Sequence, residues 1–150
     1  MNAKLDISRN KVWRLFLTTH ATAIDLIERE LAEAGLPPLG WYDVLFALEE
    51  AQDRRLRMNE LAANIVLSRS NLTRLVDRLE AAQLLYRESC PTDKRGAFAV
   101  VTDKGSEMRQ KMWSVYAQGI ATHFACHIDD NQASVLNELF ARIIAANKSY

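Results

Sequence analysis

The sequence predicts a mainly α-helical fold with one small β-hairpin, and three observations support this prediction. Glycine and proline are scarce, with five and three in 150 residues, so few positions break a helix. Apolar residues recur at helical spacing towards both ends of the chain. One segment near residue 97 alternates instead, as a strand does. No apolar run is long enough to span a membrane and the start lacks a signal-peptide core, so we expect a cytoplasmic protein.

Two helices are predicted at the N-terminal end. The first carries an apolar stripe from Val12 onward and stops at Gly35, because two prolines follow shortly after that glycine. The second begins after Gly40 and ends in a polar run from Glu49 to Arg57.

The middle of the chain predicts a helix-turn-helix, in which two short helices are joined by a short polar junction. Asn59 is suited to cap the first helix, because its side-chain oxygen accepts from free N–H groups of the first turn. Ser68 or Ser70 is suited to cap the second in the same way.

A hairpin and two further helices complete the predicted order of elements. Residues 84–88 and 97–101 are strand-like, and turn-forming residues separate them. Thr102 then caps a long helix, and Asp129 or the next aspartate begins the last one. Gln132 stands three residues after Asp129, which makes the pair a candidate capping box.

Three segments together resemble the MarR family of bacterial winged helix-turn-helix regulators. They are Leu67–Glu80, Cys90–Gly96 and Val101–Gly105. The most specific part of the resemblance is Asp93-x-Arg95 followed by Thr102-x-x-Gly105. One position departs from the family, because Gln83 stands where a glycine is usual after the second helix of the motif. Gln83 must therefore bear some strain or end that helix differently.

The resemblance implies a function and a domain plan. It implies one domain over residues 1–150, with a DNA-binding winged helix-turn-helix lobe over 40–101 and a helical dimerisation lobe over 9–35 plus 103–148. Such a regulator is a homodimer that binds pseudo-palindromic double-stranded promoter DNA, and it is often released by small phenolic ligands or by oxidation. We expect a repressor that needs no cofactor. The sequence has no glycine-rich phosphate loop or nucleophile elbow, which argues against an enzyme.

A helix that enters the major groove needs short polar and long basic side chains on its outward face. The second helix of the motif supplies such a set, in which Arg69 or Arg74 is suited to guanine and Asn71 to adenine. The full set is Ser68, Arg69, Ser70, Asn71, Thr73 and Arg74. The alternative is a solvated polar face without a partner.

The tip of the hairpin carries Lys94 and Arg95, and an arginine there is suited to a narrow minor groove. Asp93 would repel phosphate, so a structural role is expected for it, in holding Arg95 or the backbone of the wing, as the resemblance implies. The alternative is that these are ordinary exposed charges of a turn.

A group of aromatic residues with one histidine on the first two helices is a candidate pocket for a small aromatic ligand, with core packing as the alternative. The candidates are Trp13, Phe16, His20, Trp41 and Phe46, with Tyr42 beside them. A second group, His123, Cys126 and His127, has the i, i+3, i+4 spacing of one helical face. Too few ligands accompany that second group, so no metal site is expected.

Cys90 offers an alternative mode of regulation. It lies near Arg87 and Lys94 in the sequence, and cationic neighbours favour the reactive thiolate. A redox-responsive regulator is one reading of this residue, and an inert small side chain is the other.

The charges of the chain balance, with 19 basic and 19 acidic side chains, but they are unevenly placed. Residues 54–95 contain nine basic and five acidic side chains, a net charge of +4, and the rest of the chain carries −4. This asymmetry is expected for a DNA-facing lobe on an acidic dimer body. A winged module that binds protein instead of DNA is the alternative of a different class, and salt dependence separates the two.

Overall fold

The computed structural model describes residues 3–66, 71–89 and 96–148, and within them it confirms the predicted fold class. The chain divides into two compact units, one of Met1–Leu26 with Gln118–Tyr150 and one of Ile27–Ala117. The elements are α1 (Ile7–Glu33), α2 (Leu39–Glu50), β1 (Arg55–Arg57), α3 (Met58–Asn64), α4 (Leu72–Ala81), β2 (Leu85–Ser89), β3 (Ala97–Val101), α5 (Asp103–His123) and α6 (Asp130–Asn147). Within the described residues, no helix is long and apolar enough to cross a membrane.

The end of α1 follows the prediction, although the helix begins at Ile7, ahead of the stripe. Gly35 adopts a φ of 71°, and the N–H of Leu36 donates to the carbonyl of Leu31 at 2.9 Å. This left-handed glycine with a six-to-one hydrogen bond terminates the helix. The carboxylate of Glu28 accepts from the N–H of Leu39 at 2.6 Å, so α1 satisfies a free donor at the start of α2.

The hairpin prediction is confirmed, but the sheet has a third strand that the sequence interpretation missed. β3 pairs with both β1 and β2 in antiparallel fashion, in the order β1-β3-β2. The prediction that residues up to Arg57 close the second helix is therefore wrong, because α2 ends at Glu50. The segment Arg55–Arg57 forms a strand since Leu56 packs against the core while the two arginines flank it.

The core of the second unit lies between α2, α3, α4 and the sheet. Leu45 and Leu48 of α2 meet Leu61 of α3 there, and each of these side chains is fully buried. The remaining buried members are Val44, Ile65, Leu72, Val76, Leu79, Leu84, Leu85, Ala99 and Val101. This core holds α4 and β2 in one compact unit and therefore determines which side chains of α4 face outward.

Two of the predicted helix caps are confirmed. The Oγ1 of Thr102 accepts from the N–H of Gly105 at 3.0 Å at the start of α5. At α6 the Oδ1 of Asp129 accepts from the N–H of Gln132 at 2.8 Å, and the Oε1 of Gln132 accepts from the N–H of Asp129 at 3.0 Å. This reciprocal pair is the predicted capping box.

The caps predicted for the helix-turn-helix are different in the structure. Asn59 lies inside α3, because β1 runs directly into this helix and Arg57 takes the N-cap position, where its side chain does not cap the helix. The N-cap of α4 is Asn71. Ser68 and Ser70, the residues predicted to cap it, lie outside the described residues.

The end of α4 shows how the chain accommodates Gln83. This residue has a φ of 63°, and the N–H of Leu84 donates to the carbonyl of Leu79 at 3.0 Å. The left-handed conformation expected of a glycine is thus taken by glutamine, which confirms the predicted strain. The Oγ1 of Thr102 donates to the carbonyl of Gln83 at 2.8 Å and ties this turn to the start of α5.

Candidate nucleic-acid interface

The outward face of α4 is the main feature of the candidate interface. Leu72, Val76 and Leu79 are buried on one side of this helix. Thr73 and Arg74 are exposed. The helix is amphipathic because its apolar residues recur at helical spacing, and this fixes which side chains remain available to a partner.

Asn71 is also exposed and stands at the N-terminus of α4 with φ 63° and ψ 25°. Asparagine tolerates this left-handed conformation better than most residues. Its side chain makes no capping hydrogen bond to the helix. The carboxamide of Asn71 therefore does not bind the free N–H groups in the first turn of α4. The preceding predicted contacts Ser68, Arg69 and Ser70 lie outside the described residues.

The basic residues of the second unit differ in whether a carboxylate neutralises them. Arg54 lies 3.3 Å from the carboxylate of Asp103 and also donates to the β3–α5 junction. Within residues 3–66, 71–89 and 96–148, neither Arg74 nor Arg78 forms an ion pair with a carboxylate. Within the described part of the chain, the guanidinium groups of Arg74 and Arg78 are therefore not neutralised by a carboxylate.

Arg87 of β2 holds the two acidic side chains of α4. Its Nη2 donates to the Oδ1 of Asp77 at 2.6 Å, and its Nη1 donates to the Oε1 of Glu80 at 3.3 Å. Its backbone N–H donates to the Oε2 of Glu80 at 2.7 Å. The sequence interpretation regarded Arg87 only as a cationic neighbour of a cysteine. The partners are seven and ten residues away, and no local sequence pattern marks such a pairing.

The base of the wing is described, whereas its tip is not. The guanidinium groups of Arg55 and Arg57 lie over the ring of Phe98 at 4.5 and 5.4 Å from its centroid. The Nη1 of Arg55 lies 3.5 Å from the carboxylate of Glu88. These contacts connect side chains of all three strands at the base of the wing. The predicted residues Asp93, Lys94, Arg95 and Cys90 fall outside the described residues.

Asp43 of α2 supports the segment that leads from α3 towards α4. Its Oδ2 accepts from the N–H of Val66 at 2.8 Å. The second unit also has a cavity of about 220 Å³ lined by Phe46, Leu56 and Asn64, and Asp43 and Val66 border it. The start of the turn, at Val66, is thus held by a side chain of α2.

The candidate ligand residues are distributed over the two units. In the first unit, the ring of Phe16 lies 6.0 Å from Trp13 and 5.6 Å from Phe140, and His20 is exposed. In the second unit, Trp41 packs against the core. A pocket formed jointly by these residues therefore stays a prediction.

An aromatic group in the second unit surrounds Tyr42. Phe46 stacks on Tyr42 at 5.8 Å, and the rings of Trp113 and Tyr116 lie 5.9 and 5.1 Å away. Burial raises the pKa of Tyr116 above its usual value near 10, and the neighbouring Tyr42 and Asp43 raise it further. The sequence interpretation missed Trp113 and Tyr116, although their spacing of three on α5 is a usable signal.

The three-residue group around Cys126 does not share a helical face. α5 ends at His123, and Phe124 leaves helical geometry with φ −134° and ψ −62°. Cys126 and His127 lie in a short 3-10 turn, where the Sγ of Cys126 donates to the carbonyl of Thr122. The i, i+3, i+4 premise is wrong for this reason. Among the described residues, no group of three potential ligands could hold a metal ion.

The described elements define a class of protein. Two short helices, α3 and α4, precede an antiparallel hairpin that pairs with β1, and the outward face of the second helix is polar and basic. This is the architecture of a winged helix-turn-helix protein.

Comparison with known proteins identifies the family. Residues 34–96 match the family model described as MarR family. The HTH-type transcriptional regulator MhqR of Bacillus subtilis is 31% identical over 114 residues, which cover 76% of this chain and 70% of MhqR. The chain belongs to the MarR family of DNA-binding transcriptional regulators, which is not a family of enzymes.

Solved structures agree with this assignment over nearly the whole chain. Sco3205 of Streptomyces coelicolor, a MarR family transcriptional regulator solved in complex with DNA, is 32% identical with a TM-score of 0.84. The match covers 97% of this chain and 90% of Sco3205. AbsC of the same organism, also a MarR family regulator, is 28% identical with a TM-score of 0.84, covering 99% of this chain and all of AbsC.

Proposed function

We propose that the protein is a homodimeric repressor that binds pseudo-palindromic promoter DNA, with α4 of each protomer in the major groove. The observation that carries this proposal is the exposed N-terminal half of α4, where Asn71, Thr73 and Arg74 stand opposite a buried apolar face. Base edges and phosphates are recognised by such short polar and basic side chains. The DNA-bound structure of the relative Sco3205 supports the same interpretation.

The proposal extends to the residues that flank the described part of α4. Ser68, Arg69 and Ser70 directly precede Asn71 in the sequence and are proposed as further contacts, because their hydroxyl and guanidinium groups suit phosphates and guanine. Lys94 and Arg95 are proposed to enter the minor groove from the wing. Asp93 is proposed to hold the wing in place rather than to touch DNA.

The homodimer is supported by the apolar surface of the first unit. α6 has no buried residue, and Val135, Ile143 and Ile144 are each more than half exposed. α1 exposes Val12 and Leu15 to a similar extent. Large apolar side chains exposed in such number on the helices of one unit are typical of a surface that another chain covers. A second copy is the proposed partner, because a two-fold dimer would present two copies of α4 to a palindrome.

Selection of bound DNA from a random pool tests the proposal. We expect a pseudo-palindromic consensus whose half-sites lie about 34 Å apart, one turn of the duplex, because each protomer supplies one α4. Affinity should fall by about 10³ to 10⁵ between roughly 50 and 200 mM salt if six to ten phosphates are contacted. A pool without enrichment, together with salt-independent DNA binding, would instead favour a module that binds protein.

Two variants assign roles within that interface. Arg74→Ala should weaken binding by about tenfold or more and relax the preference at one base pair, since a bidentate base contact contributes on that scale. Arg95→Ala should weaken binding and reduce the salt slope by about one, because one positive charge close to the phosphates along the minor groove is lost. Lys111→Ala, at an exposed position of α5, is the matched control for the loss of one positive charge. Equal effects of all three variants would contradict the assignment.

A small aromatic effector is also proposed, with Trp13, Phe16, His20, Trp41 and Phe46 as the candidate contacts. The exposed part of Phe46 and of the neighbouring Trp113 supports it, because aromatic surfaces next to a polar group bind flat ligands. A titration with benzoate-type acids, followed by tryptophan fluorescence and by release of bound DNA, tests this. Ligands that change the fluorescence without changing DNA affinity would contradict an effector role.

A further inference from the structure

We propose that Arg87 is a positioning residue, which locks the first strand of the wing to Asp77 and Glu80 in the C-terminal half of α4 and so sets the spacing of the two elements that are proposed to contact DNA. The inference rests on the proposed function of α4. It assigns to Arg87, Asp77 and Glu80 a part in sequence recognition that does not require any of them to touch DNA.

Arg87 contacts two carboxylates of α4, those of Asp77 and Glu80, and we call this arrangement the clamp. The side chain of Arg87 reaches Asp77 at 2.6 Å and Glu80 at 3.3 Å, while its backbone N–H reaches Glu80 at 2.7 Å. Asp77 and Glu80 are three residues apart and therefore lie on one face of α4. Both the main chain and the side chain of a single β2 residue are thus attached to one turn of the helix.

The chemistry of arginine suits this arrangement. A guanidinium group is planar and presents several N–H donors in fixed directions, so it can bind two carboxylates at once. The Arg87 side chain is only 28% exposed, which limits its competing contacts with water. A lysine could neutralise the charge but could not hold both carboxylates in the same geometry.

The clamp also changes the electrostatics of α4. Asp77 lies one turn after Thr73 and Arg74, and an unpaired carboxylate at that place would repel phosphates. Two explanations of the Arg87 contacts therefore make opposite predictions. If charge alone matters, removing the charge of Asp77 strengthens binding to every DNA. If positioning matters, the same change weakens binding to the selected site and does not weaken binding to unrelated DNA.

Asp77→Asn is the sharpest test, because it keeps the size of the side chain. We expect its affinity for the selected palindrome to fall by about fivefold to tenfold, the scale of one charge-assisted hydrogen bond. Its affinity for a scrambled duplex should stay equal or rise. Glu107→Gln, an exposed position on α5, changes the charge by the same amount and should alter both affinities equally.

Arg87→Gln, made alone and together with Asp77→Asn, completes a double-mutant cycle. Arg87→Lys separates the effect of charge from that of geometry. Arg87→Lys should reproduce the loss of discrimination although it keeps the charge. Arg87→Gln should cost less affinity in the Asp77→Asn background than alone, because one of the two carboxylate partners of Arg87 is already lost there and only Glu80 remains. A salt slope that falls by about one for Arg87→Gln in both backgrounds would make Arg87 a direct phosphate contact and overturn the proposal.

The outcomes separate this inference from the proposed function. Wild-type protein that fails to distinguish the selected from the scrambled duplex overturns both. Wild-type discrimination with an Asp77→Asn variant that binds both duplexes more tightly overturns only the positioning role. Circular dichroism and urea unfolding establish that each variant is folded, and if Arg87→Gln does not fold, Asp77→Asn and Arg87→Lys still decide the question.

Discussion

Gln83 holds a left-handed backbone conformation in which glycine would carry no steric penalty. Its φ is 63°, and its side chain is exposed. Gln83→Gly should therefore stabilise the protein by about 0.5–1 kcal/mol, since relief of the conformation outweighs the added freedom of the unfolded chain. Urea unfolding checks this prediction. Ala82→Gly is the control, because Ala82 has a right-handed conformation and the same change there should destabilise.

Gly105 is required for a different reason, the space around its α-carbon. A Cβ at this position would overlap the backbone carbonyl of Leu84 and lie 2.9 Å from the Cγ2 of Val101. A backbone carbonyl cannot move aside as a flexible side chain does. Gly105→Ala should therefore destabilise the protein by about 1–3 kcal/mol, as overpacking does. Lys104→Ala, at the exposed preceding position, should leave the unfolding free energy nearly unchanged.

Tyr116 makes stability depend on pH in the alkaline range. Burial, with Tyr42 and Asp43 nearby, raises its pKa in the folded state above the usual value near 10. The unfolded chain then loses this proton first, so the free energy of unfolding should fall as the pH rises beyond about 10. Tyr116→Phe should flatten this decline in urea titrations between about pH 8 and 11. Tyr86→Phe, at an exposed tyrosine, should not.

At the scale of elements, the start of α6 depends on its capping box. Asp129 accepts from the N–H of Gln132, and Gln132 accepts from the N–H of Asp129. Asp129→Ala should cost about 1 kcal/mol and speed amide exchange in the first turn of α6, because the N–H of Gln132 loses its side-chain acceptor. Asp130→Ala removes a charge from the same turn without removing the cap. Equal losses for both variants would attribute the effect to charge alone.

The elements that local chemistry determines were predictable from the sequence, and those that tertiary pairing determines were not. The stop at Gly35 and the caps at Thr102 and Asp129 are confirmed, because each depends on residues within a few positions. β1 was missed because three residues become a strand only when β3 lies beside them. The alternation Arg-Leu-Arg covers only three residues, so its signal for a strand is weaker than the helical pattern of the residues before it.

The candidate site shows the same division. The outward residues Thr73 and Arg74 follow from the helical period of α4 and are exposed in the structure. The contacts of Arg87 with Asp77 and Glu80 depend on how β2 packs beside α4, which no periodicity reveals. Sequence reasoning therefore finds the residues available for contact more readily than those that set their spacing.

At the scale of the molecule, the basic residues have two kinds of role, although the net charge of the chain is zero. Arg54, Arg55 and Arg87 contribute to the positive segment 54–95, yet each lies beside a carboxylate of the second unit. These three arginines therefore form ion pairs within the protein, and their positive charge is partly neutralised there. The affinity for DNA should depend on the residues without such partners in the described structure, Arg74 and Arg78, together with the proposed contacts.

The proposed dimer predicts that one charged residue, introduced on the apolar face of α6, separates the two protomers. Ile143 is 54% exposed and ends the apolar stripe that runs along α6 through Val135 and Leu139. Ile143→Glu should convert a species of twice the chain mass into one of 17.0 kDa in sedimentation, because an unpaired carboxylate is costly in an apolar interface. Ala145→Glu adds the same charge about half a turn away on the helix and should leave the dimer intact.

DNA affinity should follow the change in assembly. The Ile143→Glu monomer should bind the full palindrome far more weakly than wild type, because linked half-sites gain affinity through effective concentration and single ones do not. Its affinity for an isolated half-site should match that of wild type, since α4 lies in the other compact unit. An Ile143→Glu protein that still sediments at twice the chain mass would refute α6 as the interface. A monomer that binds the full palindrome as tightly as wild type would instead show that recognition does not require two linked copies of α4.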